Sequence, residues 1–253
     1  MLGRAFQFIL CVLSIVALWA TGAVAGLSDY YDLKKPAGTG PFPALIMVAG
    51  CSGYAGPAET VYDKWQDQFV AAGFVVVKAE FLKPRALSNC AAINPFRYLV
   101  TKKEAAGDIY QAIGDLIKTG FVDPLRISLI GWSFGGGSVL QALSGGDPSR
   151  AKIHSVVSYY PDCYQLDPWS GSTRTLILFG GNDTTALPSR CREVMAKMTD
   201  TASIKTIEYP GAMHAFDFPF LGTQGITTPL GVMGYNPAAA TQAWDAALAF
   251  LKQ

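Results

Sequence analysis

Short apolar runs alternate with longer amphipathic stretches along most of this chain. Residues 44–49 read ALIMVA, an unbroken apolar run entered through Pro41 and Pro43. Residues 74–79 (FVVVKA), 127–131, 155–160, 175–180 and 204–209 are further runs of strand length. Between them, residues 61–72, 102–118, 134–143 and 188–198 carry apolar positions at helical spacing, and residues 238–251 close the chain the same way. In 102–118 the stripe is explicit: Ala105, Ile109, Ala112, Ile113, Leu116 and Ile117 fall on one helix face. Asp123-Pro124 predicts a turn before the 127–131 run. Strands that alternate with helices predict an α/β fold, a mostly parallel sheet covered on both faces. Continuous runs such as FVVV and LILF suit strands buried on both sides.

In such a sheet, chemistry gathers at the loops beyond the C-terminal ends of the strands. Three of those loops are long: 80–101, 161–174 and 211–237. They are the expected pocket walls.

The N-terminus departs from the alternation. Arg4 precedes an apolar stretch over 6–20, broken only by Gln7 and Ser14, and Ala23-Val24-Ala25 then forms a small-residue cleavage site. This predicts a secretory signal peptide over residues 1–25 and one mature domain over 26–253. The expected location is secreted or periplasmic. The alternative is an uncleaved N-terminal membrane anchor, because the apolar stretch approaches spanning length. If the signal is cleaved, no stable membrane partner is expected. Export changes the reading of the cysteines: Cys51, Cys90, Cys163 and Cys191 remain, and four permit three pairings. Chain proximity favours Cys51–Cys90 with Cys163–Cys191. Free thiols are the alternative.

Composition narrows the partners. The 253 residues are 50% hydrophobic and 15% charged, with a formal net charge of +1, so the chain is built to fold around a core. With no Lys/Arg cluster, nucleic acid is not an expected partner. A metal site is not expected either, since there is no Cys-x-x-Cys and only His154 and His214 offer imidazoles.

Gly131-Trp132-Ser133-Phe134-Gly135 matches Gly-x-Ser-x-Gly. The pattern alone is weak in a chain with 26 glycines. Its setting between a strand and a helix is what a nucleophile elbow requires. Gly135-Gly136-Gly137 fails the dinucleotide spacing, because Leu140 holds the last glycine position, and no Gly-Lys-Ser/Thr occurs.

A serine nucleophile needs a base and an orienting carboxylate. His214 follows the 204–209 run at the catalytic edge, whereas His154 sits at the opposite end of its strand and reads as structural. Asp183 follows the 175–180 run through Gly181-Asn182. The order Ser133, Asp183, His214 is the triad order of α/β-hydrolases. Asp162, Asp167 and Asp217 are rivals for the acid, with Asp162 the strongest, and Asp217 reads as too near His214 in sequence. Asn182-Asp183-Thr184 is a glycosylation sequon that reads as accidental beside a triad. The expected oxyanion donors are the backbone N–H groups of Phe134 and, in Gly50-Cys51-Ser52-Gly53, of Cys51. A disulfide at Cys51 would hold that donor in place. Trp169, Phe216, Phe218, Phe220, Met233 and Tyr235 are candidates for an apolar acyl or aryl site.

These residues resemble the dienelactone hydrolase family over about 44–251. The resemblance lies in Gly50-Cys51-Ser52-Gly53, in Gly131-Trp132-Ser133-Phe134-Gly135-Gly136, in Asp183 within Phe-Gly-Gly-Asn-Asp, and most specifically in Tyr209-Pro210-Gly211-Ala212-Met213-His214-Ala215-Phe216. Tyr159-Tyr160-Pro161-Asp162 is similar as well, and the resemblance then puts the acid at Asp183 rather than Asp162. Two departures stand out. The dienelactone enzymes proper carry cysteine at the position of Ser133 and glutamate at that of Gly50. Arg85 could match an arginine that binds a substrate carboxylate in those enzymes, but it reads here as a solvated loop residue. The implied activity is cleavage of small-molecule esters or lactones through an acyl-enzyme, without a cofactor. Two alternatives are a peptidase or amidase of the same fold and an exported, non-catalytic binding protein on this scaffold.

Overall fold

A computed structural model describes residues 27–90, 95–144, 152–169 and 171–253. The proposed signal segment, residues 1–25, lies outside them. Seven strands form one sheet: β1 (Tyr31–Lys34), β2 (Phe42–Val48), β3 (Val75–Ala79), β4 (Val122–Trp132), β5 (Ile153–Tyr159), β6 (Arg174–Gly180) and β7 (Ile204–Tyr209). Their spatial order is β1-β3-β2-β4-β5-β6-β7. All neighbouring pairs are parallel except β1 with β3. Helices α1 (Pro57–Ala71) and α5 (Pro237–Leu251) cover one face, and α2 (Pro95–Lys118), α3 (Phe134–Ser144) and α4 (Pro188–Met195) cover the other.

Strand β2 shows why both faces are covered. Ala44, Ile46 and Val48 enter the core beneath α2 and α3, while Leu45, Met47 and Ala49 enter the core beneath α1 and α5. Side chains alternate along a strand, so a run with no polar residue needs apolar partners on both sides.

Most predicted elements agree with these within a few residues. Helix α2 begins at Pro95, earlier than its apolar stripe, and α4 ends at Met195 rather than 198. The Asp123-Pro124 turn lies inside the span of β4 as an irregularity. Val122 pairs with Phe42 and Ile127 with Ala44, so the residues between them leave the ladder. The Asp123 carboxylate accepts from Leu125 N at 3.0 Å within that excursion. Strand β1 is a short, half-exposed edge strand, YDLK, too brief and too polar to register as a strand. A small hairpin, β8 (Ile226–Thr228) and β9 (Gly231–Met233), sits in the last long loop.

Two disulfides join Cys51 to Cys90 and Cys163 to Cys191, the pairing that chain proximity favours. Among the described residues, no helix is long and apolar enough to cross a membrane.

Candidate active site

The parallel strands β2 to β7 end at one edge, and the chemistry-bearing residues lie just beyond those ends. Ser133 follows β4 directly and has φ 54, a left-handed conformation that costs a non-glycine residue energy. Three backbone bonds hold it there. Ser133 N donates to Tyr159 O (2.9 Å), and Ser133 O accepts from Gly137 N (2.9 Å) and Asp162 N (3.0 Å). The turn is sharp enough to forbid side chains on both flanks. A Cβ on Gly135 would sit 2.2 Å from Val48 O and 2.3 Å from Ala49 O, and one on Gly131 would sit 2.4 Å from Gly135 O. The glycines of Gly-x-Ser-x-Gly are therefore a packing requirement of the elbow.

His214 lies in the loop after β7 and is buried. Its Nε2 is 2.9 Å from Ser133 Oγ and its Nδ1 is 2.7 Å from Asp183 Oδ2. Asp183 is itself fixed, because its Oδ1 accepts from Thr185 N and Ala186 N, each at 2.8 Å. The carboxylate thus has one oxygen on backbone donors and the other on the imidazole. Ser133, His214 and Asp183, distant in sequence, form one unbroken hydrogen-bonded line.

The rivals lie elsewhere. Asp162 pairs with the buried Lys102 at 2.9 Å. Asp167 meets Lys103 and Gln141 at the surface. Asp217 accepts from Trp132 Nε1 (3.0 Å) and Tyr160 O–H (2.5 Å), and its burial raises its pKa to about 6. His154 sits at the far end of β5, partly buried near Arg174, and burial followed by that guanidinium lowers its pKa.

Gly50, Cys51 and Ser52 run past Ser133 after β2. A Cβ on Gly50 would be 3.5 Å from Ser133 Cβ, so this loop crosses close to the serine. The Gly50 N–H donates to Tyr62 O–H at 3.0 Å. The Cys51 carbonyl accepts from Cys90 N at 2.8 Å, beside the Cys51–Cys90 disulfide. Phe134 is the first residue of α3, with its ring stacked on Phe81 at 5.3 Å between centroids.

A cavity of about 580 Å³ opens over Ser133 and His214. Half of its lining comes from the 211–237 loop, including Phe218, Phe220, Leu230 and Met233, and Tyr62 of α1 and Trp132 add to the wall. Among the described residues of the other two long loops, Asn89 of 80–101 lines the cavity and none of 161–174 does. Of the predicted apolar candidates, Phe216 belongs to the core beneath α1 and α5, Trp169 to the core on the other face, and Tyr235 lies off the lining. Helix α1 is the contributor that sequence reasoning missed. Tyr62 reads as one more apolar helix position until the fold brings it beside Gly50.

Arg85 is a correction. Its side chain is only 6% exposed, and its guanidinium meets Asp108 through Nη1 (2.6 Å) and Nη2 (2.9 Å) and Glu104 through Nε (3.0 Å). It is a buried structural cation, not a solvated loop residue, and it does not line the cavity.

Known proteins place this architecture. No curated protein matches the sequence. A Klebsiella pneumoniae structure described as a dienelactone hydrolase is similar at 16% identity over 88% of this chain and 92% of its own, with a TM-score of 0.66. The dienelactone hydrolase-like promiscuous phosphotriesterase P91, from metagenomic libraries, is 19% identical over 85% and 87%, with a TM-score of 0.65. Esterase 2 of Thermogutta terrifontis, solved with propionate bound, is 18% identical over 88% of both chains, with a TM-score of 0.58. The dienelactone hydrolase family model matches residues 31–253, and the chain belongs to that family, with its α/β-hydrolase fold.

Proposed function

We propose that this protein is a serine hydrolase that cleaves carboxylic esters or lactones through an acyl-enzyme. The observation that carries the reading is the continuous line from Ser133 Oγ through His214 to Asp183, with links of 2.9 and 2.7 Å, opening on an apolar cavity.

Ser133 Oγ attacks the carbonyl carbon as His214 Nε2 takes its proton. The carbonyl electron pair moves onto oxygen, where the N–H groups of Cys51 and Phe134 receive it. Asp183 holds His214 with Nδ1 protonated and offsets the imidazolium charge. Collapse of the intermediate breaks the bond to the leaving oxygen, which takes the proton from His214. Water then attacks the acyl-enzyme with His214 again as base, which frees the acid and restores Ser133. Apart from substrate and water, the steps use groups of this chain. The intact line of Ser133, His214 and Asp183 weighs against a non-catalytic binding protein on this scaffold.

The reading extends to the N-terminus. Residues 1–25 act as a cleaved signal, so the exported protein begins at Gly26, which N-terminal sequencing checks. The test of the activity is hydrolysis of 4-nitrophenyl esters beside the Ser133→Ala variant. Loss of about 10⁴-fold or more in kcat is expected, leaving the contribution of the oxyanion hole and binding. Paraoxon, which phosphorylates the Thermogutta esterase, should release 4-nitrophenolate and leave a diethylphosphoryl group on Ser133. Equal rates from wild type and variant, with Ser133 unlabelled in folded protein, would overturn the reading.

A further inference from the structure

We propose that this site selects neutral esters with a bulky apolar group and rejects esters whose acyl chain carries a carboxylate. The inference deepens the hydrolase reading and rests on it. Three observations support it.

The first is the lining. Among the described residues around the cavity, none is Asp, Glu, Lys or Arg. Tyr62, Trp132, Phe218 and Met233 surround the space, and Phe220 and Leu230 form its rim while remaining 47% and 48% exposed. A cavity of about 580 Å³ is within the range that buries most of a drug-sized ligand, so a group well beyond acetyl fits.

The second is that none of the described cations offers a counter-charge to the cavity. An anion in an apolar pocket loses its water and needs a cation or several donors to offset that loss. Arg85 is committed to Asp108 and Glu104 away from the cavity. Lys78 and Lys83 belong to a separate cleft that they share with Asp32 and Glu80.

The third is the charge behind the wall. Asp217 holds Trp132 and Tyr160, both of which line the cavity. It is buried, and above its pKa of about 6 it places a negative charge directly behind the substrate space. A substrate carboxylate would face that charge across low-dielectric side chains, where screening is weak.

A matched trio of 4-nitrophenyl esters tests the idea at pH 7.5: the hexanoate, the adipate half-ester and its neutral methyl-capped form. The expected result is kcat/KM about a hundredfold lower for the half-ester than for the capped ester, with the two neutral esters within a few fold of each other. Binding of the intact capped ester and half-ester to Ser133→Ala, followed by calorimetry, reads the same preference without turnover. Leu230→Lys, at an exposed rim position that leaves the core untouched, should narrow the ratio about tenfold by supplying a cation. Ratios within threefold in both rate and binding, or a preference for the half-ester, would overturn the inference. Such a result would leave the hydrolase reading intact as long as paraoxon still labels Ser133. Failure of labelling and of turnover would instead remove the hydrolase reading, and calorimetry would still decide the charge preference.

Discussion

Ser133 is fixed within one tight turn, whereas the apolar wall facing it comes from a loop that runs from 211 to 237 before the chain re-enters a helix. The two regions meet at the same cavity and are built by opposite means. The elbow is held by close steric contact: a strained φ of 54, backbone bonds to Tyr159 and Gly137, and a glycine that lies against the carbonyls of Val48 and Ala49 at the end of β2. The wall is held by hydrogen bonds across the loop and by one to the segment after β6. Gly234 N donates to His214 O (3.0 Å), Asn236 N to Phe216 O (2.8 Å) and Val232 N to Thr184 Oγ1 (3.1 Å). The comparison teaches where tolerance lies. Local steric construction leaves no room for substitution, while a tethered loop can change its side chains and keep its path. On the proposed reading, chemistry sits on the first kind of structure and substrate choice on the second.

The largest expected effect falls on the rigid side, at Asp183→Asn. Because Oδ1 of Asp183 accepts two backbone N–H groups, the amide must keep its oxygen there. Its NH₂ then faces His214 Nδ1, which becomes an acceptor. The imidazole proton moves to Nε2, the nitrogen that must take the proton of Ser133. Activity should fall about 10⁴-fold with the fold intact, as for the equivalent change in a serine protease triad. Steady-state kinetics beside circular dichroism checks this. A loss below tenfold would mean that Asp183 does not set the tautomer.

Next comes Gly135→Ala, which asks whether the elbow has any slack. The new Cβ would lie 2.2 Å from Val48 O, a backbone atom of a central strand that cannot swing aside. Destabilisation of about 4 kcal/mol or more is expected, in the range of severe overpacking. Urea unfolding measures it, and a variant as stable as wild type would show that the elbow can relax.

These two residues also show what the sequence makes legible. The elbow, Asp183 and His214 stand out because each lies just past a strand end in a glycine-bearing segment. The sheet is legible for a similar cause, since burial on both faces leaves continuous apolar runs. The wall is not legible, because its composition does not separate lining from core. Phe216 and Phe218 differ by two residues and both pack into the core beneath α1 and α5, yet only Phe218 also lines the cavity. Arg85 fails for the same reason, because its partners Glu104 and Asp108 lie on α2, across a stretch whose path the sequence does not give.

Asp217 lies where the two regions touch, and Asp217→Asn should show a smaller effect that depends on pH. Burial raises the folded pKa of Asp217 to about 6, above its unfolded value. The folded state therefore holds the proton more tightly, and folding loses stability as pH rises from about 4 through 6. At pH 8 the ionised carboxyl should cost about 2–3 kcal/mol relative to pH 4. The asparagine removes that slope. Tyr160 can turn its hydroxyl to accept from the amide, while Trp132 Nε1 still donates to the amide oxygen. Unfolding free energies of the two proteins at pH 4.5 and pH 8 give the difference directly. Parallel pH profiles would mean that Asp217 carries no strain.

The smallest effect should come from Thr184→Val, which removes one tether of the wall and leaves the elbow alone. Val232 N donates to Thr184 Oγ1 at an exposed position, so water replaces the lost partner and stability should change by about 0.5–1 kcal/mol. Gly231, at φ 137, still rests against Thr185, where a Cβ would come within 2.5 Å of Oγ1, and so the hairpin keeps its seat. The consequence belongs to substrate choice. Leu230 and Met233 flank the lost bond and line the cavity, so KM for a hexanoyl ester should rise a few fold. The acetyl ester, which does not reach the rim, should keep its KM and kcat. If KM for both esters rose together, the tether would be acting on His214 through β9. The wall and the catalytic line would then be one mechanical unit rather than two.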